Sequence, residues 1–471
     1  METMHELETK WEVTDGFELP APDEVAGDAE VDRDTIELAS VYYDTIDHDL
    51  LSRGVTFRRR DGDDDIGWQL KVPESVGRLE LRTGLADAPP TELTDLLTGL
   101  RLGKPLIPIA TIRTRRDRYR IIDPQRHVLR VELVDDHIRA STDHQLLAWR
   151  EIEVEEGPAA GSLPKRFSRR LVKAGARQSR YPSKLARVCR VPGPTASARS
   201  APHGALASYV GEQVVAVVAG DLGLRRGEDP IHDTRVAIRR LRSTVRVFGK
   251  LFDPSAASDL DVELTWFAGL LGEVRDSQLQ RRRFHEVLAE WPPELVLGPV
   301  AARIDSDLRG TELRARRAVT EAMDSPRYLG LLATLQRWEN ELPLVAPATR
   351  KALDKRAGTA QRKADRRLAE AIRSDDDELL HKARKAAKRA RYAAELRHGT
   401  STDAGKSIKH FKSIQRVLGD YQDSVVAADS LYRLGIAAGT APDENGFTFG
   451  LLYARERQLQ AAVRKKARQL A

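Results

Sequence analysis

The spacing of apolar residues changes once along this chain, and that change dictates two folding units of different class. Up to about residue 190 apolar and polar residues alternate in short runs: His5–Val13, Gly54–Arg60, Trp68–Val72, Arg78–Leu81, Arg113–Ile122, Leu129–Leu133 and Arg150–Glu155. A period of two is the mark of a strand with one covered face. Turn-forming stretches such as Asp61-Gly62-Asp63 and Ala88-Pro89-Pro90 separate the runs. Many short strands without helices between them predict an antiparallel sheet or barrel, with helices only at 91–100 and 164–174. From about Ala205 onward Ala, Leu, Arg, Glu and Lys recur with a helical period, which predicts a bundle. Residues 191–204, dominated by Pro, Gly and small side chains, read as a linker. The expected class is therefore α+β, with domains at 1–190 and 205–471.

The helical part repeats itself. His232, Arg235, Arg239 and Arg242 align with His381, Arg384, Lys388 and Arg391. Leu271-Gly272, with Asp276 four residues on, aligns with Leu418-Gly419 and Asp423 at nearly the same offset. Two matched landmarks predict duplicated helical units about a pseudo-twofold axis.

Charge is where the functional information lies. The chain has 77 Lys and Arg against 71 acids, so the net +6 says little and the arrangement says more. Side chains alternate across a strand, so Glu6, Glu8 and Lys10 share a face. So do Arg58 and Arg60, Arg113 and Arg115, and Glu151 and Glu153; Lys71, Glu80 and Arg82 sit on further strands. A solvated outer face would explain one such strand. Several strands with blocks of one sign need compensation instead. A divalent cation compensates glutamates, since magnesium-like ions favour carboxylate oxygens and share their shell with phosphates. A polyanion compensates arginines, whose planar fork matches phosphate.

In the helical part, His232, Arg235, Arg239, Arg242 and Arg246 fall within an arc of roughly 80° at 100° per residue. His381, Arg384, Lys388 and Arg391 do the same, and Lys409, Lys412 and Arg416 form a further basic stripe. Surface helices usually mix signs to form i,i+4 pairs. A duplicated single-sign stripe opening on histidine points to a polyanion, with the histidine charged when the anion is near.

At these residues the N-terminal part resembles the CYTH family of triphosphate tunnel metalloenzymes. The likeness rests on Glu6-Leu7-Glu8-Thr9-Lys10, Tyr43-Asp44-Thr45, Arg58 and Arg60, Lys71, Arg113 and Arg115, Glu151-Ile152-Glu153, and the tail Tyr181–Lys184. The resemblance implies an eight-stranded antiparallel tunnel with charged residues inside. It implies that Glu6, Glu8, Glu151 and Glu153 hold Mg²⁺ or Mn²⁺. Lys10, Arg58, Arg60, Lys71, Arg113 and Arg115 would clasp a triphosphate, with Lys184 a further contact and Lys10 also orienting the attacking water. Where some members carry a second acid two residues beyond Glu80, this chain has Arg82, which weighs against turnover. The helical part resembles the CHAD domain, a pair of similar helical bundles named for conserved histidines. That resemblance implies inorganic polyphosphate in a basic groove between the repeats, with Asp276 and Asp423 structural.

The expected function is a metal-dependent inorganic triphosphatase that also binds polyphosphate. A non-catalytic polyphosphate receptor is the alternative; thiamine triphosphatase and adenylate cyclase chemistry rank lower because no base-reading pocket is evident. Nucleic acid is disfavoured: aromatics are 6% of the chain, and none interleaves the basic stripes before Tyr392, which leaves little stacking platform. The single cysteine, Cys189, excludes an intramolecular disulfide framework. The opening residues lack the basic start and apolar core of a signal peptide, and Val214–Ala219 is too short to span a bilayer. A cytoplasmic location, associated with polyphosphate granules, is expected. The sequence leaves the oligomeric state open.

Overall fold

The computed structural model describes residues 1–62, 66–74, 76–190, 204–374, 376–398 and 403–470. The chain divides into two compact units, Met1–Ala196 and Ser197–Ala471. The expected linker lies outside the described residues, apart from Gly204, which opens a helix.

The first unit is built on one ten-stranded antiparallel sheet. Its strands are β1 (Glu2–Glu6), β2 (Glu8–Val13), β3 (Glu30–Asp44), β4 (Thr56–Asp61), β5 (Gly67–Pro73), β6 (Arg78–Thr83), β7 (Ile107–Asp123), β8 (Val128–Ser141), β9 (Leu146–Glu156) and β10 (Arg177–Gln178). Among the described residues, five short α-helices accompany them: α1 (Pro22–Ala26), α2 (Thr91–Thr94), α3 (Thr98–Arg101), α4 (Leu163–Lys173) and α5 (Lys184–Val188). The sheet order is β1-β6-β5-β4-β3-β7-β8-β9-β2-β10. Strands β1 and β2 lie toward opposite ends of that order, yet only Leu7 separates them in the chain. Thus β1 pairs with β6 and β2 with β9, and the Leu7 carbonyl accepts from the Glu156 amide at 2.8 Å. One continuous segment therefore brings the sheet round on itself. Counting β1 and β2 as one strand and setting aside the two-residue β10, the ring has the expected eight. Gly77 (φ +75°) is needed at the closure, because a Cβ there would collide with the Glu6 carbonyl oxygen.

Alternation sorts the residues. The apolar positions of β2, β7, β8 and β9 (Trp11, Ile121, Val131, Leu133, Ile152 and Val154) face outward, where they form a core with Leu163, Phe167 and Leu171 of α4. The polar positions between them face into the ring. This inverts the usual layout: the hydrophobic core lies outside the sheet, beneath helices, and the charged residues are enclosed. The apolar face of α5 (Leu185, Ala186 and Val188) packs with Tyr42, Leu51, Ile112, Ile138 and Trp149.

The second unit is helical: α6 (Gly204–Arg225), α7 (Ile231–Phe248), α8 (Pro254–Glu290), α9 (Val300–Met323), α10 (Pro326–Asn340), α11 (Arg350–Arg373), α12 (Asp377–Leu396), α13 (Ala404–Gly439) and α14 (Phe447–Ala467). The repeat is visible in it. Each His-led helix, α7 or α12, is followed by one long helix, α8 of 37 residues or α13 of 36. Helices α7 and α12 pack on each other. Helix α6 contains the Val214–Ala219 stretch. It is long and apolar enough to cross a membrane by composition, but half of its apolar window is buried among neighbouring helices, as in a core helix.

Candidate active site and polyanion surface

The interior of the ring is a lattice of paired charges. Lys10 donates to Glu8 at 2.7 Å and to Glu153. Lys71 donates to both oxygens of Glu6, at 2.6 and 2.7 Å. Arg58 donates to Gln69 at 2.7 Å and to the Tyr42 hydroxyl at 2.9 Å, and Arg60 reaches Ser40 at 3.4 Å. The structure therefore collects Glu6, Glu8, Lys10, Arg58, Arg60, Lys71, Glu151 and Glu153 on the inner face.

It does not collect Arg113 and Arg115 there. Both are exposed and share their strand face with Tyr119, which packs against the outer core, and with Ile121, which belongs to it. The inward pair on β7 is Arg116 and Arg118, three positions beyond the expected pair and of the opposite parity. Arg116 makes a bidentate bond to Asp136, 2.8 Å on each arm, and reaches Glu153 at 3.0 Å. Arg118 binds Asp34 at 2.9 and 2.5 Å. A slip of one residue moves a strand's whole side-chain set to the other face. The signal that identifies the inward pair was in the sequence: Tyr119 and Ile121 mark the outward parity.

Asp136, Glu151 and Glu153 offer oxygens within 4.8 Å of one another, and all three are buried. Lys184, the first residue of α5, places its ammonium among them, 2.9 Å from Asp136, 2.9 Å from Glu151 and 2.7 Å from Glu153. Ser183 caps that helix by accepting from the Ala186 amide at 3.1 Å, which fixes the lysine's entry point. Burial acts to raise Glu153, but Lys10, Lys184 and Arg116 outweigh it and hold the carboxyl well below the usual range. The same balance applies at Glu80. Burial opposes ionisation, yet Lys71, Arg58 and Arg82 hold it at about 2. Arg82, at 2.9 Å, is thus a partner of Glu80.

A different rung sets three acids side by side. Glu8 on β2, Glu155 on β9 and Glu132 on β8 stand directly opposite one another across three strands. Burial raises Glu155 to about 8, with the charges of Glu6, Glu132 and Glu8 adding to the effect against Lys71. Oxygen-only acidic sets of this kind suit hard divalent ions. Among the described residues the Asp136–Glu151–Glu153 trio fits a divalent cation by donor chemistry. In the trio the cation would have to displace Lys184.

In the helical unit the two basic stripes meet. Arg235 and Arg239 of α7 face Arg384 and Lys388 of α12 closely enough that burial, Arg384, Arg239 and Arg235 lower the Lys388 ammonium to about 7. The Leu-Gly-x-x-x-Asp landmarks explain how the stripes are aimed. Arg235 donates to the Gly272 carbonyl at 3.0 Å and to Asp276 at 3.3 Å. Arg384 lies 3.7 Å from Asp423, and a Cβ on Gly419 would sit 3.6 Å from its guanidinium. Each landmark is the seat of the first arginine of its stripe. Arg242 and Arg246 both bind Asp261, and Arg391 binds Glu395 and Gln415. His232 is exposed, whereas His381 bonds Gln422 at 2.8 Å, and burial lowers its pKa. Lys409, Lys412 and Arg416 are exposed on α13. Three further cations lie beside the stripes: Arg389 feels Arg246, Arg367 and Arg242, and Lys363 feels Arg367 and Arg389. The i,i+4 spacing of Lys363 and Arg367 was the available signal for them.

Comparison with known proteins agrees with this geometry. A profile of the CYTH domain matches residues 4–183, and one of the CHAD domain matches residues 208–432. Two uncharacterized proteins of Mycobacterium tuberculosis, MT2285 and Rv2226, are each 33% identical over 98% of this chain and 96% of their own length. The solved structure of PptA from Streptomyces chartreusis covers 57% of this chain and 99% of its own, with a TM-score of 0.50 and 23% identity, a likeness of fold. Both families are associated with phosphate chains, the first with triphosphate and the second with polyphosphate, and CYTH members include triphosphatases and cyclases. This chain therefore carries a CYTH domain followed, in the same polypeptide, by a CHAD domain.

Proposed function

We propose that the protein is a metal-dependent inorganic triphosphatase whose helical domain binds inorganic polyphosphate. The observation that carries this reading is the enclosed ring of cations, Lys10, Arg58, Arg60, Lys71 and Arg116, set against carboxylates on facing strands. A triphosphate is the anion that this ring would clasp along its length, with each arginine offering a two-pronged donor to a phosphate. Glu6 and Glu8, with Glu151 and Glu153, would hold Mg²⁺ or Mn²⁺. When bound, the ion supplies charge neutralisation on the phosphoryl oxygens and a template for the attacking water. The chain's own residues do the rest. Arg58 and Arg60 fix the chain's position, Lys10 orients water from its seat between Glu8 and Glu153, and the outer helices keep bulk solvent from the sheet. In phosphoryl transfer, positioning and electrostatics account for most of the acceleration. In the helical domain Arg239, Lys388, Lys409, Lys412 and Arg416 are the cations most available to a polyphosphate chain, and a cytoplasmic, granule-associated location follows from that ligand.

The test is phosphate release from tripolyphosphate with Mg²⁺ or Mn²⁺, compared with long polyphosphate, ATP and thiamine triphosphate. The Glu8→Gln chain is expected to lose about two orders of magnitude or more in kcat. Equal release by the two chains would refute the reading. A second reading is a receptor that holds phosphate chains without turnover. It is favoured by Arg82 on Glu80 and by Lys184 among the acids, and it requires tight binding with no metal-stimulated release.

A further inference from the structure

Arg113 and Arg115 lie on the outer face of the sheet, and the residues around them are arranged as a site. Arg113 of β7 stands directly opposite Arg139 of β8. The rung is completed by Ala39 on β3 and Ala148 on β9, so small side chains flank the two guanidiniums. One rung away Thr111 faces Ser141, placing two hydroxyls beside them. On the other side Arg115 faces His137. A groove of about 500 Å³ runs over this surface, lined by Arg113, Arg115, Arg139, Arg150 and His137 against only two acids, Asp15 and Glu37.

Glu37 sits across from Arg115, which also approaches Asp117 at 3.6 Å. Arg150 is held by Asp135 at 2.6 Å and by the Phe17 carbonyl at 2.7 Å. That leaves Arg113 and Arg139 with no acidic partner among the described residues. Like charges directly opposite on neighbouring strands destabilise a sheet. Mixed signs would have been the simple way to avoid this, as β3 and β7 do with Asp34 and Arg118.

We propose that this outer groove is a second oxyanion site of the tunnel domain, one that takes a phosphate group on Arg113 and Arg139. It is separate from the enclosed site, because its residues occupy the opposite parity of the same strands. Two sources of the ligand share this chemistry: free orthophosphate and a phosphate unit of a longer chain.

Residue-resolved arginine modification by phenylglyoxal, read by mass spectrometry on the intact chain, tests it. At matched ionic strength, orthophosphate or tripolyphosphate should slow modification of Arg113 and Arg139 about threefold or more, a change expected of a mostly occupied site. Arg170, exposed on α4, serves as the control and should be unaffected. Protection by both anions identifies a free-phosphate site, and protection by tripolyphosphate alone identifies a chain site; either supports the proposal. The same protection should survive in a Lys71→Met chain, whose enclosed site is impaired. Equal modification rates with and without both anions would overturn the proposal, as would protection that vanishes in Lys71→Met.

Discussion

Glu155 and Lys388 both sit where the surroundings oppose their charge, and they make opposite predictions. The folded domain keeps the Glu155 proton up to about pH 8, whereas the unfolded chain loses it near the ordinary value of 4.5. Between those values the native state holds more protons, so this group's contribution to stability declines as pH rises, and the full penalty stands above pH 8. Glu155→Gln should therefore raise the unfolding temperature at pH 9 and change it little at pH 4. Lys388 runs the other way. Its folded value is about 7 against 10.5 unfolded, so the penalty is complete below pH 7 and fades as pH rises toward 10.5. A polyanion that settles on it restores the charge. Binding of long polyphosphate at pH 8.5 should take up a proton, seen as a buffer-dependent enthalpy in calorimetry. The uptake at pH 8.5 should vanish in Lys388→Met. How far residues were legible in the sequence follows from their geometry. Glu6, Glu8 and Lys10 were legible because one strand fixes their common face. Arg113 and Arg115 misled because a run of arginines, Arg113, Arg115, Arg116, Arg118 and Arg120, offers both parities, and only the outward-facing Tyr119 and Ile121 decide between them.

At the scale of elements, α5 is the piece that most affects the chemistry. It is a five-residue helix, too short to be stable alone, and is held by its cap and by Leu185, Ala186 and Val188. Its ammonium completes the charge balance of Asp136, Glu151 and Glu153. Replacing it should free those carboxylates. Lys184→Met is expected to bind Mn²⁺ about tenfold more tightly by calorimetry, and to be less stable than wild type in metal-free buffer. Ser183→Ala should cost about 1 kcal/mol through the lost cap and is measurable by denaturant unfolding. Most strands could be read from alternation, but the long β3 could not. In Glu30–Asp44 charged side chains occupy both faces, Asp32 and Asp34 inside and Arg33 and Glu37 outside, so no apolar period survives. The expected helix at 91–100 is two short helices, α2 and α3, broken between Asp95 and Leu97.

For the whole molecule, the duplicated helices and the change of period were plain in the sequence because they are properties of long windows. The closure of the ring was not, because pairing between β1 and β6 and between β2 and β9 depends on strands remote in the chain. The two domains should respond to different ligands. In hydrogen exchange on the intact protein, tripolyphosphate with Mg²⁺ should protect β2, β4 and β9, and long polyphosphate should protect α7 and α12. Swapped or identical patterns would contradict the division of labour proposed above.

The segment from Glu2 to Val13 that joins both ends of the sheet also sets an order of events in time. Its first half needs β6, and its second half needs β9, which emerges from the ribosome more than a hundred residues later. The ring therefore cannot shut until most of the domain has been made. Contacts of such long sequence separation form slowly. During synthesis β2 stays unpaired and open to other chains until β9 is made, a hazard for aggregation. The strand that carries the first acids of the candidate site is thus also the latch of the fold, and the enclosed interior comes into being in the same step that completes the domain.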